Sequence, residues 1–138
     1  MTIRAARADE AGAVIGLWYL CGLTRPWNDP AQDFARALNG ESSTILVAEG
    51  EGGSLLGSAM VGDDGHRGWV YYLAVVPAAR GDGLGRALMT AAEEWLRERG
   101  CPKVQLMVRE DNAEALGFYA ALGLERQGVV TLGRFLKD

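Results

Sequence analysis

The sequence has few residues of the kinds that bind metals or nucleic acids. It contains one histidine and two cysteines, too few for a typical zinc site. Cys21 and Cys101 are far apart in the chain, so we interpret both as reduced thiols. The formal net charge is −4, and there is no run of Lys or Arg of the kind that contacts to phosphate backbones require. The composition therefore predicts neither a bound metal nor a nucleic-acid partner.

Long hydrophobic runs are also absent. The longest one near the N-terminus, residues 14–23, is about half as long as a membrane-spanning helix and is interrupted by glycine. It lacks the basic leader and the small-residue cleavage site of a signal peptide. We therefore expect no membrane partner and a cytoplasmic location.

The length and composition are those of an ordinary globular protein. The 138 residues are 49% hydrophobic and 23% charged, and no internal repeat or Pro/Ser-rich linker divides them. A chain of this length can bury most of its unfolded surface around one core. We therefore predict a single domain that spans residues 1–138.

Apolar periodicity and turn residues predict a mixed α/β fold with the order β-α-α-β-β-β-α-β-α-β. Predicted strands are Thr2–Ala6, Thr44–Glu49, Leu55–Val61, Trp69–Val76 and Val104–Val108, with one or two more in Gly128–Leu136. The first predicted helix begins near Asp9 or Glu10 and has an apolar face of Val14, Leu17, Trp18 and Cys21. Further predicted helices are Ala31–Leu38, a third that starts near Gly83 and a fourth that Asp111 or Asn112 caps. A right-handed crossover is expected to join the strands on either side of the third helix.

The most informative segment is residues 75–86, which read VVPAARGDGLGR. An apolar strand ends there in a glycine-rich turn that opens directly into a helix. The first N–H groups of a helix have no intrahelical acceptors, and the helix dipole adds positive charge, so this end suits a phosphate group. Glycine at 81, 83 and 85 removes the Cβ atoms that would hold an anion away. The same glycines are equally consistent with a tight connection and no ligand.

Two common phosphate-binding motifs do not fit this turn. A Walker-type loop needs a Gly-Lys pair, which the chain lacks. A dinucleotide-binding turn is a closer match, since Glu110 is near the position of a ribose-binding acid. However, Arg86 replaces a required small residue, and too little chain follows Glu110 to form the second half of a doubly wound sheet. An NAD-dependent oxidoreductase is therefore the weakest of the candidate functions.

The pattern Arg80-x-x-Gly83-x-Gly85 after Leu73–Pro77, with Asn112 followed seven residues later by Tyr119, resembles the GNAT superfamily of acyl-CoA-dependent N-acyltransferases. The resemblance covers nearly the whole chain. Residues 25–30 (RPWNDP), 64–67 (DGHR) and 99–123 are similar to the YpeA-like bacterial branch of that superfamily. The resemblance implies a central, mostly antiparallel sheet of six to seven strands flanked by about four helices. It also implies acetyl-CoA as cosubstrate, with no metal.

The resemblance further implies a set of cofactor-binding residues. The strand backbone at Leu73, Ala74 and Val75 would meet the pantetheine amides. The residues implied around the pyrophosphate and the sulfur are Arg80, Gly81, Asp82, Gly83, Leu84, Gly85, Arg86, Asn112 and Tyr119. We expect Asp82 to face water, because an inward carboxylate would repel phosphate. Other readings stay open: Arg80 and Arg86 as solvated surface residues, and Asn112 as a helix cap.

Tyr119 is the predicted catalytic residue. By resemblance it lies beside the cofactor sulfur, where a phenol with a pKa of about 10 would protonate the leaving thiolate. An aromatic residue that only packs in the core is the alternative. The general base is unassigned, because Met107 stands where some relatives carry a Glu. Weak candidates for it are Glu110, Asp64, His66, Tyr71 and Tyr72.

The acceptor would lie against the loops at residues 25–30 and 63–68. Arg25 or Arg67 would hold a substrate carboxylate, and Asp29 or Asp64 would hold a cationic amine. Trp27 would either form an apolar wall or anchor its loop. The sequence thus predicts an N-acetyltransferase that acts on a primary amine of a small molecule or peptide.

The predicted mechanism is direct attack in a ternary complex, because no Cys lies near either motif to form an acyl-enzyme. The alternative function is a catalytically silent acyl-CoA-binding module. An exposed last strand would also suit a homodimer.

Overall fold

The computed structural model describes residues 1–136. The strands are β1 (Thr2–Ala5), β2 (Ser43–Glu49), β3 (Leu55–Asp63), β4 (Gly68–Val75) and β5 (Val104–Leu106). The helices are α1 (Ala11–Leu20), α2 (Pro30–Asn39), α3 (Leu84–Glu98) and α4 (Ala113–Ala121). The predicted order of elements is confirmed as far as α4. The chain forms two compact units, Met1–Met107 and a second that begins at Val108. The prediction of a single domain stays a prediction.

The first unit contains a five-stranded sheet in the order β1-β2-β3-β4-β5. Neighbouring strands are antiparallel except β4 and β5, which are parallel because α3 carries the chain between them. This mixed, mostly antiparallel sheet confirms the predicted fold class. The sheet has five strands rather than the predicted six to seven.

The missing strands are those expected at the end of the chain. Residues 128–136 form no strand, so that prediction is wrong. Val129, Val130 and Leu132 are 73%, 84% and 90% exposed. Their β-branched and apolar character favours extended backbone, but a strand also needs paired neighbours and buried side chains, and propensity alone supplies neither.

The two faces of the sheet pack against different helices. Ser58 faces α1, because its hydroxyl accepts a hydrogen bond from Trp18 Nε1 at 3.1 Å. Gly57 faces α3, where a Cβ atom would lie only 2.9 Å from Leu88. Successive residues of a strand point to opposite faces, so α1 and α3 cover the two sides of β3. One hydrophobic core lies on the α1 side, where Val14, Trp18, Phe34, Ile45 and Val47 are almost completely buried.

A β-bulge interrupts the pairing of β3 with β4. Ser58 pairs with Ala74 and Met60 with Tyr71, so the single residue Ala59 opposes both Tyr72 and Leu73. Tyr72 has a φ of 52°, and it is the one non-glycine residue in the described chain with a positive φ. The bulge was not predicted from the sequence, because no glycine marks it.

Candidate active site

Within residues 1–136, one edge of β4 has no strand partner beyond Val70. Its pairing with β5 extends only from Gly68 to Val70. Further along, the Val76 N–H donates to the Leu56 carbonyl on β3 at 2.9 Å. Because backbone groups alternate between the two edges of a strand, those of Leu73 and Val75 point away from β3. These groups are suited to hydrogen bonds with an extended ligand that contains amides.

The carbonyl at the end of this edge is already hydrogen-bonded. The Val75 oxygen accepts hydrogen bonds from Arg80 Nε at 3.1 Å and from the Cys21 thiol at 3.4 Å. Arg80 Nη2 also lies 3.6 Å from the Cys21 sulfur. Cys21 was interpreted as an ordinary reduced thiol, and no sequence signal connects it with a residue 54 positions away. The groups left for a ligand are therefore the Val75 N–H and the backbone of Leu73.

The glycine-rich turn depends on backbone conformation. Gly81 and Gly83 have φ values of 89° and 82°, a region that residues with a Cβ atom rarely adopt. No atom lies within 4 Å of the position where a Cβ atom would be added at either glycine. The space above both residues is open, so glycine is required here for the path of the chain rather than to avoid a clash.

The first turn of α3 leaves its backbone amides available. Gly83 is the N-cap residue and makes no side-chain capping hydrogen bond, and the first turn contains no acidic residue. The first intrahelical bond near this end runs from the Ala87 N–H to the Gly83 carbonyl at 3.0 Å. The preceding N–H groups have no intrahelical acceptor, and the helix dipole makes this end positive. The Arg86 and Asp82 side chains are exposed. This end of α3 is chemically suited to a phosphate group.

In the second unit, Asn112 and Tyr119 belong to the start and the last turn of α4. The Asn112 side chain accepts a hydrogen bond from the Ala115 N–H at 3.1 Å, so it caps the helix. Tyr119 is half-buried, and its ring lies edge-on to Phe118 with centroids 5.0 Å apart. Burial raises the pKa of Tyr119 to about 12. The phenol is therefore protonated at neutral pH.

Comparison with known proteins identifies the family. The model of the acetyltransferase (GNAT) family matches residues 8–124. The chain belongs to the GNAT acetyltransferase family. The protein is 50% identical over 136 residues to Acetyltransferase ECA0875 of Pectobacterium atrosepticum, and the match covers 99% of this chain and 96% of that protein.

Solved structures show the same fold. Aminoglycoside N-acetyltransferase AAC(6′)-Iy in complex with CoA has a TM-score of 0.84 at 19% identity, covering 99% of this chain and 95% of that one. AAC(6′)-IG from Acinetobacter haemolyticus has a TM-score of 0.81 at 19% identity, covering 99% and 100%. At this identity the likeness concerns the fold alone.

In this GNAT protein, the loop between α1 and α2 contains three of the five predicted acceptor residues. The Arg25 guanidinium donates to the carbonyls of Gly22 at 3.0 Å and Thr24 at 2.8 Å. Trp27 is 57% exposed and is therefore not a buried anchor of the loop. The Asp29 carboxylate caps α2 by accepting a hydrogen bond from the Gln32 N–H at 3.2 Å. Arg25 and Asp29 thus already have partners within their own segment.

The turn between β3 and β4 contains the other two predicted acceptor residues. One oxygen of Asp64 accepts from the N–H groups of Arg67 at 2.7 Å and His66 at 2.9 Å, and the other accepts from Trp69 Nε1 at 3.0 Å. These bonds lower the pKa of Asp64, the Arg67 N–H most of all, and so make it a weak base. The Arg67 guanidinium donates to the His66 carbonyl at 3.0 Å.

Within residues 1–136, no group of three or more His, Cys, Asp or Glu side chains is arranged to hold a metal ion. In the same range, no helix is both long and apolar enough to cross a bilayer.

Proposed function

We propose that this GNAT protein transfers an acetyl group from acetyl-CoA to the primary amine of an acceptor, by direct attack in a ternary complex. The observation that carries the proposal is the first turn of α3, whose amides have no side-chain cap and which contains no acidic residue. It follows β4 after residues 76–83, and within residues 1–136 the outer edge of β4 has no strand partner beyond Val70. An open helix N-terminus preceded by an unpaired strand edge suits a ligand with a diphosphate at one end and amides along its length.

The binding roles in this proposal divide between backbone and side chains. The amides from Gly81 to Arg86 bind the diphosphate, and the exposed Arg86 guanidinium adds positive charge. The pantetheine amides form hydrogen bonds with the backbone of Leu73 and with the N–H of Val75. Arg80 stabilises the end of β4 through the Val75 carbonyl, which it contacts at 3.1 Å. The assignment of Asn112 as a cofactor contact rests on the family pattern, in addition to its observed role as a helix cap.

Tyr119 is the proposed proton donor at the departing sulfur. A bound acetyl-CoA would supply the thioester. Because burial raises the pKa of Tyr119 to about 12, its hydroxyl keeps its proton throughout the physiological range and can donate a hydrogen bond to the sulfur. A proton that passes to the sulfur is replaced from the acceptor nitrogen, which must lose one on forming the amide. The phenol is therefore restored after each turnover.

The acceptor is proposed to meet Arg25, Trp27, Asp64 and Arg67. Among these, Trp27 has the most accessible side chain, and Asp64 supplies a fixed negative charge. Asp64 is better suited to attract an ammonium group than to remove a proton from it, because its pKa is lowered. One structure with the same fold holds AAC(6′)-Iy with a bisubstrate analogue of CoA and acetylneamine, so aminoglycosides belong among the acceptors to be tested.

A second candidate function is an acyl-CoA-binding module without catalysis. Met107 is 52% exposed and cannot accept a proton, and it stands where some relatives carry a Glu. The lowered pKa of Asp64 removes one substitute for that base.

Calorimetric titration with CoA, acetyl-CoA and NAD, followed by thiol-release assays, tests the proposal. The acceptors are amino acids, polyamines, aminoglycosides and peptides. Binding of CoA and release of free thiol with at least one amine would support the transferase. Binding of CoA without thiol release from any amine would favour the binding module. Binding of NAD without CoA would contradict both candidates.

A further inference from the structure

The backbone at the β4 bulge is held in an unfavourable conformation. Tyr72 has a φ of 52°, and left-handed backbone is uncommon for a bulky aromatic residue. Such a conformation persists only where its surroundings determine it, and it is often found at functional sites. The contacts of Tyr72 therefore indicate what maintains the bulge.

The Tyr72 side chain is held from two sides. Its hydroxyl donates to Asp33 Oδ2 on α2 at 2.7 Å. Its ring stacks on Trp18 of α1, with centroids 3.9 Å apart and planes at 8°. Both helices therefore fix the same residue, one through a charge-assisted hydrogen bond and the other through ring contact.

The backbone of Tyr72 is tied to the same group of residues. Trp18 is fully buried, and its Nε1 donates to Ser58 Oγ at 3.1 Å. The Ser58 hydroxyl in turn donates to the Tyr72 carbonyl at 3.4 Å. Ser58 has an exposure of 0%, and a buried hydroxyl with both a donor and an acceptor partner has one defined orientation. The ring, hydroxyl and carbonyl of Tyr72 are thus all constrained.

The bulge decides which backbone groups reach the open edge of β4. Before it, the Gly68 N–H donates to Lys103 at the start of β5, so the backbone of Gly68 and Val70 faces β5. In a regular strand Ala74 would continue this alternation. The extra residue shifts the alternation by one, so Leu73 and Val75 face that side and Ala74 pairs with Ser58. Loss of the bulge would turn these backbone groups to the wrong edge.

We propose that Trp18, Asp33, Ser58 and Tyr72 form a positioning cluster that maintains the β4 bulge and so presents the backbone of Leu73 and Val75 to an acyl-CoA ligand. The role of that edge rests on the proposed function. The cluster itself touches no reacting atom in this proposal and acts through the strand.

Variants that remove one bond at a time separate this role from simple packing. Tyr72→Phe keeps the ring that stacks on Trp18 and removes only the hydroxyl. Asp33→Ala removes the acceptor, whereas Asp33→Asn keeps a side-chain oxygen that can accept from the phenol. Tyr19→Phe is the matched control, because it removes a hydroxyl from a tyrosine on α1 that is 60% exposed.

Two measurements are made on each variant, the Kd for CoA by calorimetry and amide hydrogen exchange without ligand. Tyr72→Phe and Asp33→Ala are expected to weaken CoA binding about tenfold, as for a lost charge-assisted hydrogen bond. They should also speed exchange at Ala74 and Val76 about tenfold, with Val47 in β2 unchanged. Asp33→Asn should restore most of both values, and Tyr19→Phe should match the original protein.

Unchanged CoA affinity and unchanged exchange in Tyr72→Phe and Asp33→Ala would overturn the proposal. Equally faster exchange at Val47 would also overturn it, because that result indicates general destabilisation. Failure of the original protein to bind CoA would instead contradict the proposed function. The exchange data would then still decide whether the cluster maintains the bulge.

Discussion

The helices α3 and α4 begin in opposite ways. At α4 the Asn112 side chain accepts a hydrogen bond from the Ala115 N–H, and at α2 the Asp29 side chain does the same for Gln32. At α3 the N-cap is Gly83, with no side-chain capping bond. Replacing a capping side chain by glycine costs only a few tenths of a kcal/mol. An uncapped helix start therefore lowers stability only slightly and leaves several N–H groups free for an anion.

The two helices are suited to different roles. The start of α3 offers backbone donors and no ionisable catalytic group, which suits binding. The helix α4 satisfies its own first turn and carries the half-buried Tyr119 in its last turn, which suits chemistry. Variants in the two helices should therefore affect different kinetic quantities.

The largest expected effect is on turnover when Tyr119 is replaced. Tyr119→Phe keeps the ring and removes the donor, so kcat should fall about 100-fold or more, as for loss of a general acid. The Kd for acetyl-CoA should stay within about twofold, since a single neutral hydrogen bond contributes little to binding. Thiol-release kinetics and calorimetry measure the two values, with Tyr19→Phe as control. A loss of affinity at unchanged kcat would mean that α4 is a binding element like α3.

Adding a negative charge at the start of α3 should have the next largest effect. Gly83→Asp places a carboxylate where the diphosphate is proposed to bind, so CoA affinity should fall about tenfold or more relative to Gly83→Asn. Asn has nearly the same shape as Asp and tolerates left-handed backbone comparably, so the pair isolates charge. Calorimetric Kd values at two salt concentrations provide the test. Equal affinities of the Asp and Asn variants would show that no anion binds at this helix start.

Removing the cap of α4 should have a smaller effect, on stability. Asn112→Ala leaves the Ala115 N–H without its acceptor and should lower the free energy of unfolding by about 1 kcal/mol. Asn112→Asp keeps an acceptor oxygen and should have the stability of the original protein. Urea denaturation measures the change. Unchanged stability in the Ala variant would contradict the capping role, and α3 and α4 would then not differ at their starts.

The smallest expected effect is that of alkaline pH on turnover. An ordinary phenol would be half deprotonated near pH 10 and would stop donating. Because the pKa of Tyr119 is raised to about 12, the donor form persists, and kcat at saturating acetyl-CoA should show no loss from this group between pH 7.5 and 10. Circular dichroism confirms that the protein stays folded. A decline centred near pH 10 that is absent in Tyr119→Phe would show that the phenol titrates normally.

Local patterns in the sequence predicted most of the elements correctly. The helix α3 was predicted from its apolar face and from the glycine turn before it, and Asn112 was named as one of two candidate caps for α4. These predictions rest on interactions within a few residues, which a local pattern contains. The last strands were predicted from β-branched residues in the same way, and they are absent because a strand also depends on partners elsewhere in the chain.

The candidate site was predicted only in part. The open amides at the start of α3 follow from the order of glycines, so their location could be read from the sequence. The contacts of Tyr72 with Asp33 and of Cys21 with Val75 join residues 39 and 54 positions apart. Neither pair shows a spacing signal. Similarly, no local sequence pattern showed that the Asp64 carboxylate would accept a hydrogen bond from Trp69 as well as from the backbone of its own turn. These hydrogen bonds lower the pKa of Asp64 and make it a weaker base.

The sequence by itself determined the succession of helices and strands as far as α4, the phosphate-suited turn and the GNAT family, because each depends on short-range spacing and backbone preference. Only the tertiary structure decided where β4 bulges, which of its backbone groups face the open edge and which side chains hold Tyr72. These features arise where α1, α2, β3 and β4 meet. They depend on packing between segments far apart in the chain, which a local sequence pattern does not show.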